Sequence, residues 1–183
     1  NLYYTRVMPE NTSIQPLTYS QIGALAALSA IHDLGCTEAS LKWPNDILWN
    51  GKKLAGVLIE RFFCKEISWI STGIGINVLQ EEFDTLNATS LSHILKRTLA
   101  PSDVLSSLVS WHTHWIHEAI TNPTSIQEHW KQALSWMKGK KLKTHKKEKT
   151  ISGMVVDFLT DGSLTLLLED GRVEILRSEW IEL

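Results

Sequence analysis

An α+β protein, with a mixed or antiparallel sheet packed against helices and a small β module after it, is the fold class that the sequence predicts. Three observations predict it. An alanine-rich run over residues 17–34 has strong helix propensity and sits between β-prone stretches. Asn50-Gly51, a pair suited to tight hairpins, joins two such stretches. After Gly139, short β runs alternate with the turn pairs Asp161-Gly162 and Asp170-Gly171. With 183 residues, 43% of them hydrophobic and 21% charged, the composition is globular and supports one core with a small appended module.

Taken in order, Leu2-Tyr3-Tyr4-Thr5 reads as a short strand, and a start on asparagine suggests a chain that begins inside a fold. Residues 17–34 read as a buried helix that Gly35 stops. Ser40-Leu41-Lys42-Trp43 and Ile47-Leu48-Trp49 are strand pieces around a proline turn, Pro44-Asn45-Asp46. Asn50-Gly51 returns the chain through residues 54–60, and a further strand over 67–72 runs into Gly73-Ile74-Gly75-Ile76-Asn77, so three adjacent antiparallel strands are expected. Helices follow. One starts near Pro101, with Ser102 as cap and Asp103 at the positive helix end, and Val104, Leu108, Trp111 or His112, Trp115 and Ile116 form its apolar side. A second opens at Pro123-Thr124-Ser125, carries Ile126, Trp130, Leu134 and Met137, and closes at Gly139. These two should pack together. Runs over 150–158, 163–168 and 173–176 then suggest a small β barrel of roughly 45 residues. This gives two domains, 1–138 and 139–183.

Several classes of function are excluded or weakened. No stretch of about 18 apolar residues occurs and the first residues lack the order of a secretory signal, so a cytoplasmic protein with no membrane partner is expected. On that basis the sequons at Asn11 and Asn87 are read as surface turns. Cys36 and Cys64 have neither disulfide-framework nor zinc-knuckle spacing. A net charge of -2 gives no general attraction to nucleic acid, and the one dense basic block, Lys138, Lys140, Lys141, Lys143, Lys146, Lys147 and Lys149, reads first as a solvated face. Attraction of an acidic carrier domain or of ATP phosphates is its functional alternative. Of His112, His114 and His117, only the last two share a helix face, which is too few ligands for zinc.

Lys42-Trp43-Pro44-Asn45-Asp46-Ile47, followed by Gly51-Lys52-Lys53-Leu54-Ala55-Gly56-Val57-Leu58-Ile59-Glu60, resembles the signature of biotin protein ligases. The resemblance covers essentially the whole chain, since the alanine-rich helix before the motif, Gly73 to Asn77 and two helices after it, and a terminal SH3-like barrel follow the family's order. It implies a fold of the class II synthetase and biotin ligase type. It also implies ATP-dependent attachment of biotin to a lysine of a biotin carboxyl carrier protein, an acetyl-CoA carboxylase subunit, through biotinyl-5'-AMP. Biotin and ATP are then substrates and Mg²⁺ is expected. Adenylation brings a carboxylate against the α-phosphate, so a fixed cation is required, and Lys42 is the catalytic candidate. Trp43, Asn45, Asp46, Gly56, Gly73, Gly75 and Asn77 complete the candidate biotin and adenylate site. Asp46 could hold a magnesium-bound water or cap local backbone, and Asn45 could simply fix the turn. Trp43 and Trp49 flank the site and could line it. Gly56, Gly73 and Gly75 suit a backbone that a flat ligand must approach closely.

The chain departs from the family in two respects, a large one at its start and a smaller one at its end. The glycine- and arginine-rich loop that should precede the first strand is absent, because no glycine occurs before Gly23 and Arg6 is the only arginine before Arg61. The family's first strands and the residues that bond the biotin ureido group are absent with it. A truncated or start-misassigned chain, residues in front of Asn1, or a protein that lost ligase activity would each account for this, and the start on asparagine favours the first two. Residues 177–183 match the family's glycine–glutamate pattern only loosely. A lipoate or octanoate ligase or transferase of the same broad fold, and a catalytically inactive binding or dimerisation scaffold, stand as alternatives. Pairing of two copies through the catalytic sheet is open, and no DNA-binding domain precedes the motif.

Overall fold

A computed structural model describes residues 1–80, 82–83, 87–146, 149–177 and 181–182. The first strand, β1 (Leu2–Pro9), leads into α1 (Thr18–Asp33). The hairpin β2 (Ser40–Lys42) and β3 (Asp46–Trp49) continues into the long strands β4 (Lys52–Cys64) and β5 (Ile67–Ile76). These five strands form one antiparallel sheet in the order β1-β5-β4-β3-β2. The three antiparallel strands expected from the sequence are thus the centre of a larger sheet. Asn50 and Gly51 both adopt positive φ, 47° and 77°, as a tight hairpin of their type requires.

α1 is apolar around most of its circumference, so it lies buried between the sheet and the helices that follow. Gly23 sits where α1 touches the sheet, and a Cβ there would come within 2.7 Å of Val57 Cγ1 and 3.3 Å of Thr72 Cγ2. Val57, Ile59 and Thr72 therefore face α1. By strand alternation Gly56, Leu58, Gly73 and Gly75 face the other way.

A short helix, α2 (Leu91–Leu95), precedes α3 (Pro101–Thr121) and α4 (Pro123–Leu134), which pack on each other and on α1. The expected cap at Ser102 is corrected: Ala100 occupies the N-cap with no side-chain bond, and Pro101 starts the helix at a position that needs no donor. His112, not Trp111, takes the fully buried position between Leu108 and Trp115. Ile126, Trp130, Leu134 and Met137 are all buried, but the helix ends at Leu134 and a 3₁₀ turn, Ser135–Met137, carries the chain to Gly139.

Beyond Gly139 a second antiparallel sheet contains β6 (Lys141–Lys146), β7 (Lys149–Phe158), β8 (Leu164–Leu168), β9 (Val173–Leu176) and β10 (Ile181–Glu182), in the order β10-β6-β7-β8-β9. Among the described residues β9 and β10 are its two edges. Gly162 and Gly171 take positive φ in the turns that the sequence marks. The middle of the lysine run forms β6, in which Leu142 and Thr144 point inward while Lys141 and Lys143 are exposed. Lys147, residues 178–180 and Leu183 lie outside the described residues. No helix of the described residues is long and apolar enough to cross a membrane.

Candidate active site

The face of the first sheet turned away from α1 carries a cleft of about 450 Å³. Its floor is a row across four strands, in which Asp46 pairs with Gly56, Gly56 with Gly75, and Gly75 with Tyr3. A neighbouring row on the same face joins Leu58, Gly73 and Thr5. Antiparallel pairing is what brings Gly56, Gly73 and Gly75 together, although Gly56 lies on the other strand of the β4–β5 hairpin.

These glycines are not equivalent. A Cβ on Gly56 would meet the Lys53 side chain at 3.2 Å and Asp46 Oδ1 at 3.3 Å. On Gly73 the first contact would be at 3.6 Å and on Gly75 at 3.7 Å, both ordinary van der Waals distances. The fold could therefore accommodate alanine at Gly73 and Gly75, and the space above them is open.

Over Gly56 stands an ion pair, Lys53 Nζ to Asp46 Oδ1 at 2.5 Å. Lys53 is a lining residue that sequence reasoning passed over, because the motif's other lysine had the stronger claim. The hairpin was its only sequence signal, since Asn50-Gly51 folds Lys53 back against the Pro44-Asn45-Asp46 turn. Asn45 donates its side-chain amide to the Val57 carbonyl and its own carbonyl accepts from Val57 N, which fixes that turn against β4.

Lys42 ends β2 and is half-buried, with Nζ donating to the Ile181 carbonyl at 2.9 Å. Burial lowers its pKa below the usual lysine value; Asp46 and Glu182 oppose the fall, and Lys53 adds to it. The ammonium is thus in electrostatic reach of the Lys53–Asp46 pair, although Lys42 does not line the cleft. Its chain neighbours Leu41 and Trp43 are also tied to later parts of the chain. Trp136 Nε1 donates to the Leu41 carbonyl at 2.7 Å, and Trp43 Nε1 donates to the Gly162 carbonyl at 2.8 Å.

Trp43 is fully buried, so its ring joins the motif to the second sheet and does not line the cleft as the sequence suggested. Trp49 is partly buried against the core and is likewise outside the cleft wall. Asn77 donates its side-chain amide to the Thr89 carbonyl at 3.0 Å, stitching the end of β5 to the segment before α2. Of the sequence-predicted residues, then, Asn45, Asp46, Gly56, Gly73 and Gly75 converge on the cleft, whereas Lys42, Trp43 and Asn77 support its edges.

Tyr3 and Thr5 of β1 complete the wall. The histidines do not assemble there. His112 Nδ1 bonds the Tyr4 hydroxyl at 3.2 Å inside the core, and His114 packs edge-on against Trp111 and Trp115. Among the described residues no three metal-ligating side chains cluster.

Asp46 is the one carboxylate among the described lining residues. A single carboxylate supplemented by substrate phosphates is a common way to hold magnesium, so the residues present fit an ion that arrives with a nucleotide.

Comparison with known proteins agrees with this geometry. A profile of the Biotin/lipoate A/B protein ligase family matches residues 2–77, the stretch that contains every cleft residue. Biotin--protein ligase 2 of Arabidopsis thaliana is 29% identical over 110 residues, which cover 57% of this chain and 32% of that protein. The bifunctional ligase/repressor BirA of Bacillus subtilis is 33% identical over 94 residues, covering 48% of this chain and 29% of that protein. The matched stretch thus spans less than a third of either relative. Among solved structures, biotin protein ligase from Aquifex aeolicus superposes with a TM-score of 0.82 at 22% identity, covering 98% of this chain and 81% of that one. The same enzyme has been solved in complex with biotin and ATP, where the TM-score is 0.81 at 23% identity and coverage is 98% and 77%. This likeness establishes the fold, including the second sheet that the profile does not reach. Residues 2–77 of the chain thus match the Biotin/lipoate A/B protein ligase family, and the whole chain has the fold of a biotin protein ligase.

Proposed function

We propose that the chain is the catalytic body of a biotin–carrier protein ligase. In the first step a biotin carboxylate oxygen attacks the α-phosphorus of ATP, forming biotinyl-5'-AMP and releasing pyrophosphate. In the second, a lysine amine of a biotin carboxyl carrier protein attacks the acyl carbon, loses a proton and releases AMP. The observation that carries this reading is the glycine floor. Gly73 and Gly75 leave room that the fold does not use, as a flat ligand lying on a strand would need. A cleft of about 450 Å³ falls in the range of small-molecule sites.

Each polar group has a part in this reading. Lys42 supplies the cation that stabilises charge on the α-phosphate, and exchanges its Ile181 carbonyl partner for that charge when substrate binds. Lys53 offers a second cation at the floor. Asp46, with Lys53 drawn away by phosphate, would hold a magnesium ion, which would neutralise part of the nucleotide's charge. Asn45 keeps the turn rigid against β4, and Asn77 secures the end of β5 beside the bound adenylate. Trp43 acts indirectly, by fixing β2 to the second sheet. We place the boundary between catalytic and terminal domains at 138/139, between the last helical turn and the second sheet.

The test is biotin-dependent exchange of pyrophosphate into ATP, followed by biotin transfer to a carrier protein. The naturally expressed protein and its Lys42→Ala variant are compared. Loss of one preorganised charge-stabilising group predicts a fall of about 10²–10³-fold in adenylation. Exchange supported by lipoate and not by biotin would transfer the reading to the lipoate branch of the family. Absence of exchange with either acid in the natural protein would leave a non-catalytic scaffold.

A further inference from the structure

A second cavity, of about 430 Å³, lies apart from the cleft and is lined by Ser90, Ser92, His93, Lys96, Arg97 and Thr98. The chemistry of its wall is one-sided. Three hydroxyls, an imidazole, an ammonium and a guanidinium face it, and no carboxylate among the described residues does. Lys96 and Arg97 form no ion pair among the described residues. Arg97 commits one Nη2 donor to the Leu34 carbonyl at 3.0 Å, which holds the guanidinium in place and leaves its remaining donors available.

Ser90 adds an independent observation. It is 1% exposed, and its Oγ has no hydrogen-bond partner among the described residues, although buried hydroxyls are normally paired. Leaving such a group unsatisfied is destabilising, and an oxyanion that accepts from it would remove the penalty. Among the described residues the wall therefore combines two cations without an ion-pair partner with a buried donor that has no acceptor. A compact anion with several acceptor oxygens matches that set better than a carboxylate, which offers fewer acceptors.

We propose that this cavity is a second, phosphate-class oxyanion site, occupied by free phosphate or by the terminal phosphate of a small metabolite. Its wall is bonded to the end of β5: Leu91 N donates to the Asn77 carbonyl and Ser92 N to the Val78 carbonyl, each at 2.9 Å. An anion there is consequently tied to the segment that carries Asn77, while the cleft keeps its own separate cation at Lys53.

Calorimetric titration of the full chain with inorganic phosphate, glycerol 3-phosphate and sulfate, in chloride buffer without nucleotide, tests the site. Saturable phosphate binding is expected. It should weaken by about tenfold for each cation lost in Lys96→Gln and Arg97→Gln, since each removes a charge-assisted bond. Ser90→Ala, which deletes an unpartnered hydroxyl and so leaves the fold intact, should weaken binding by a smaller factor. Lys53→Gln should leave it unchanged. Tighter binding of glycerol 3-phosphate than of phosphate would identify a metabolite as the source, and equal binding would identify the free ion. No saturable binding overturns the proposal. So does binding that survives Lys96→Gln and Arg97→Gln but is lost in Lys53→Gln, because the anion then belongs to the cleft.

Discussion

The seam between α1 and the first sheet, and the opposite face of that sheet, both carry glycines, for opposite reasons. At the seam Gly23 is required by packing, since a Cβ would lie 2.7 Å from Val57 Cγ1. Gly153, in the second sheet, is required more strictly still, with the Leu167 carbonyl oxygen at 2.6 Å and Leu166 Cγ at 2.8 Å. Across the sheet Gly73 and Gly75 meet nothing closer than 3.6 Å. A glycine that excludes its own fold's atoms serves stability. One that faces open space has to be explained by something outside the chain. The distinction separates residues that the fold needs from residues that a ligand needs, and stability measurements can challenge it.

The largest expected effect belongs to the packed side. His112 is buried against Tyr4, and burial, with Arg6 adding to it, lowers its pKa from 6.5 to about 4. The unfolded chain therefore binds a proton that the folded chain refuses over roughly pH 4–6.5. The contribution is fully present above the unfolded pKa and is lost as pH falls through that window, by about 3 kcal/mol in all. Denaturant melts at pH 7 and 4.5 should show the decline, and His112→Gln should flatten it. An unchanged slope in that variant would show that His112 is not a packed neutral ring.

Gly153→Ala comes next. The atom to be displaced is a backbone oxygen held in the β7–β8 ladder, so relief requires strand movement, and a loss of about 2 kcal/mol is expected. Gly23→Ala should cost less, about 1 kcal/mol. The crowding of Val57 is partly offset by alanine's better helix propensity. Thermal melting of the two variants beside the parent chain would check both magnitude and order.

How much of this was legible beforehand depends on the range of the interaction. α1 was readable because alanine propensity acts within a few residues, and the Asn50-Gly51 turn because both positions needed positive φ. The turn closing β4 onto β5 was not. Lys65 and Glu66 occupy it with φ of 49° and 66°, a conformation that neither side chain advertises, so β4 continues past Glu60 to Cys64 unannounced. β6 was hidden by charge, its period of two being carried only by Leu142 and Thr144 among lysines. In the candidate site, the motif lies on a hairpin that lines the cleft, but the partners of its side chains lie far along the chain. Trp43 finds Gly162 and Lys42 finds Ile181, and no local pattern encodes either pairing.

The smallest stability effect is the most informative. Gly75→Ala should change the melting temperature little, within about 0.5 kcal/mol, because its Cβ would touch only the edge of the Tyr3 ring at 3.7 Å. In a sheet interior alanine also loses less backbone entropy than glycine, which favours the variant slightly. The same methyl would project into the cleft between Asp46 and Tyr3, where the proposed planar ligand would lie against the strand. A mismatch of one carbon in such a site is worth about 10–200-fold, so biotin affinity measured by titration should fall by at least about tenfold while the fold stays intact. If stability falls instead and binding survives, Gly75 belongs with Gly23 and Gly153, and the open floor is not ligand space.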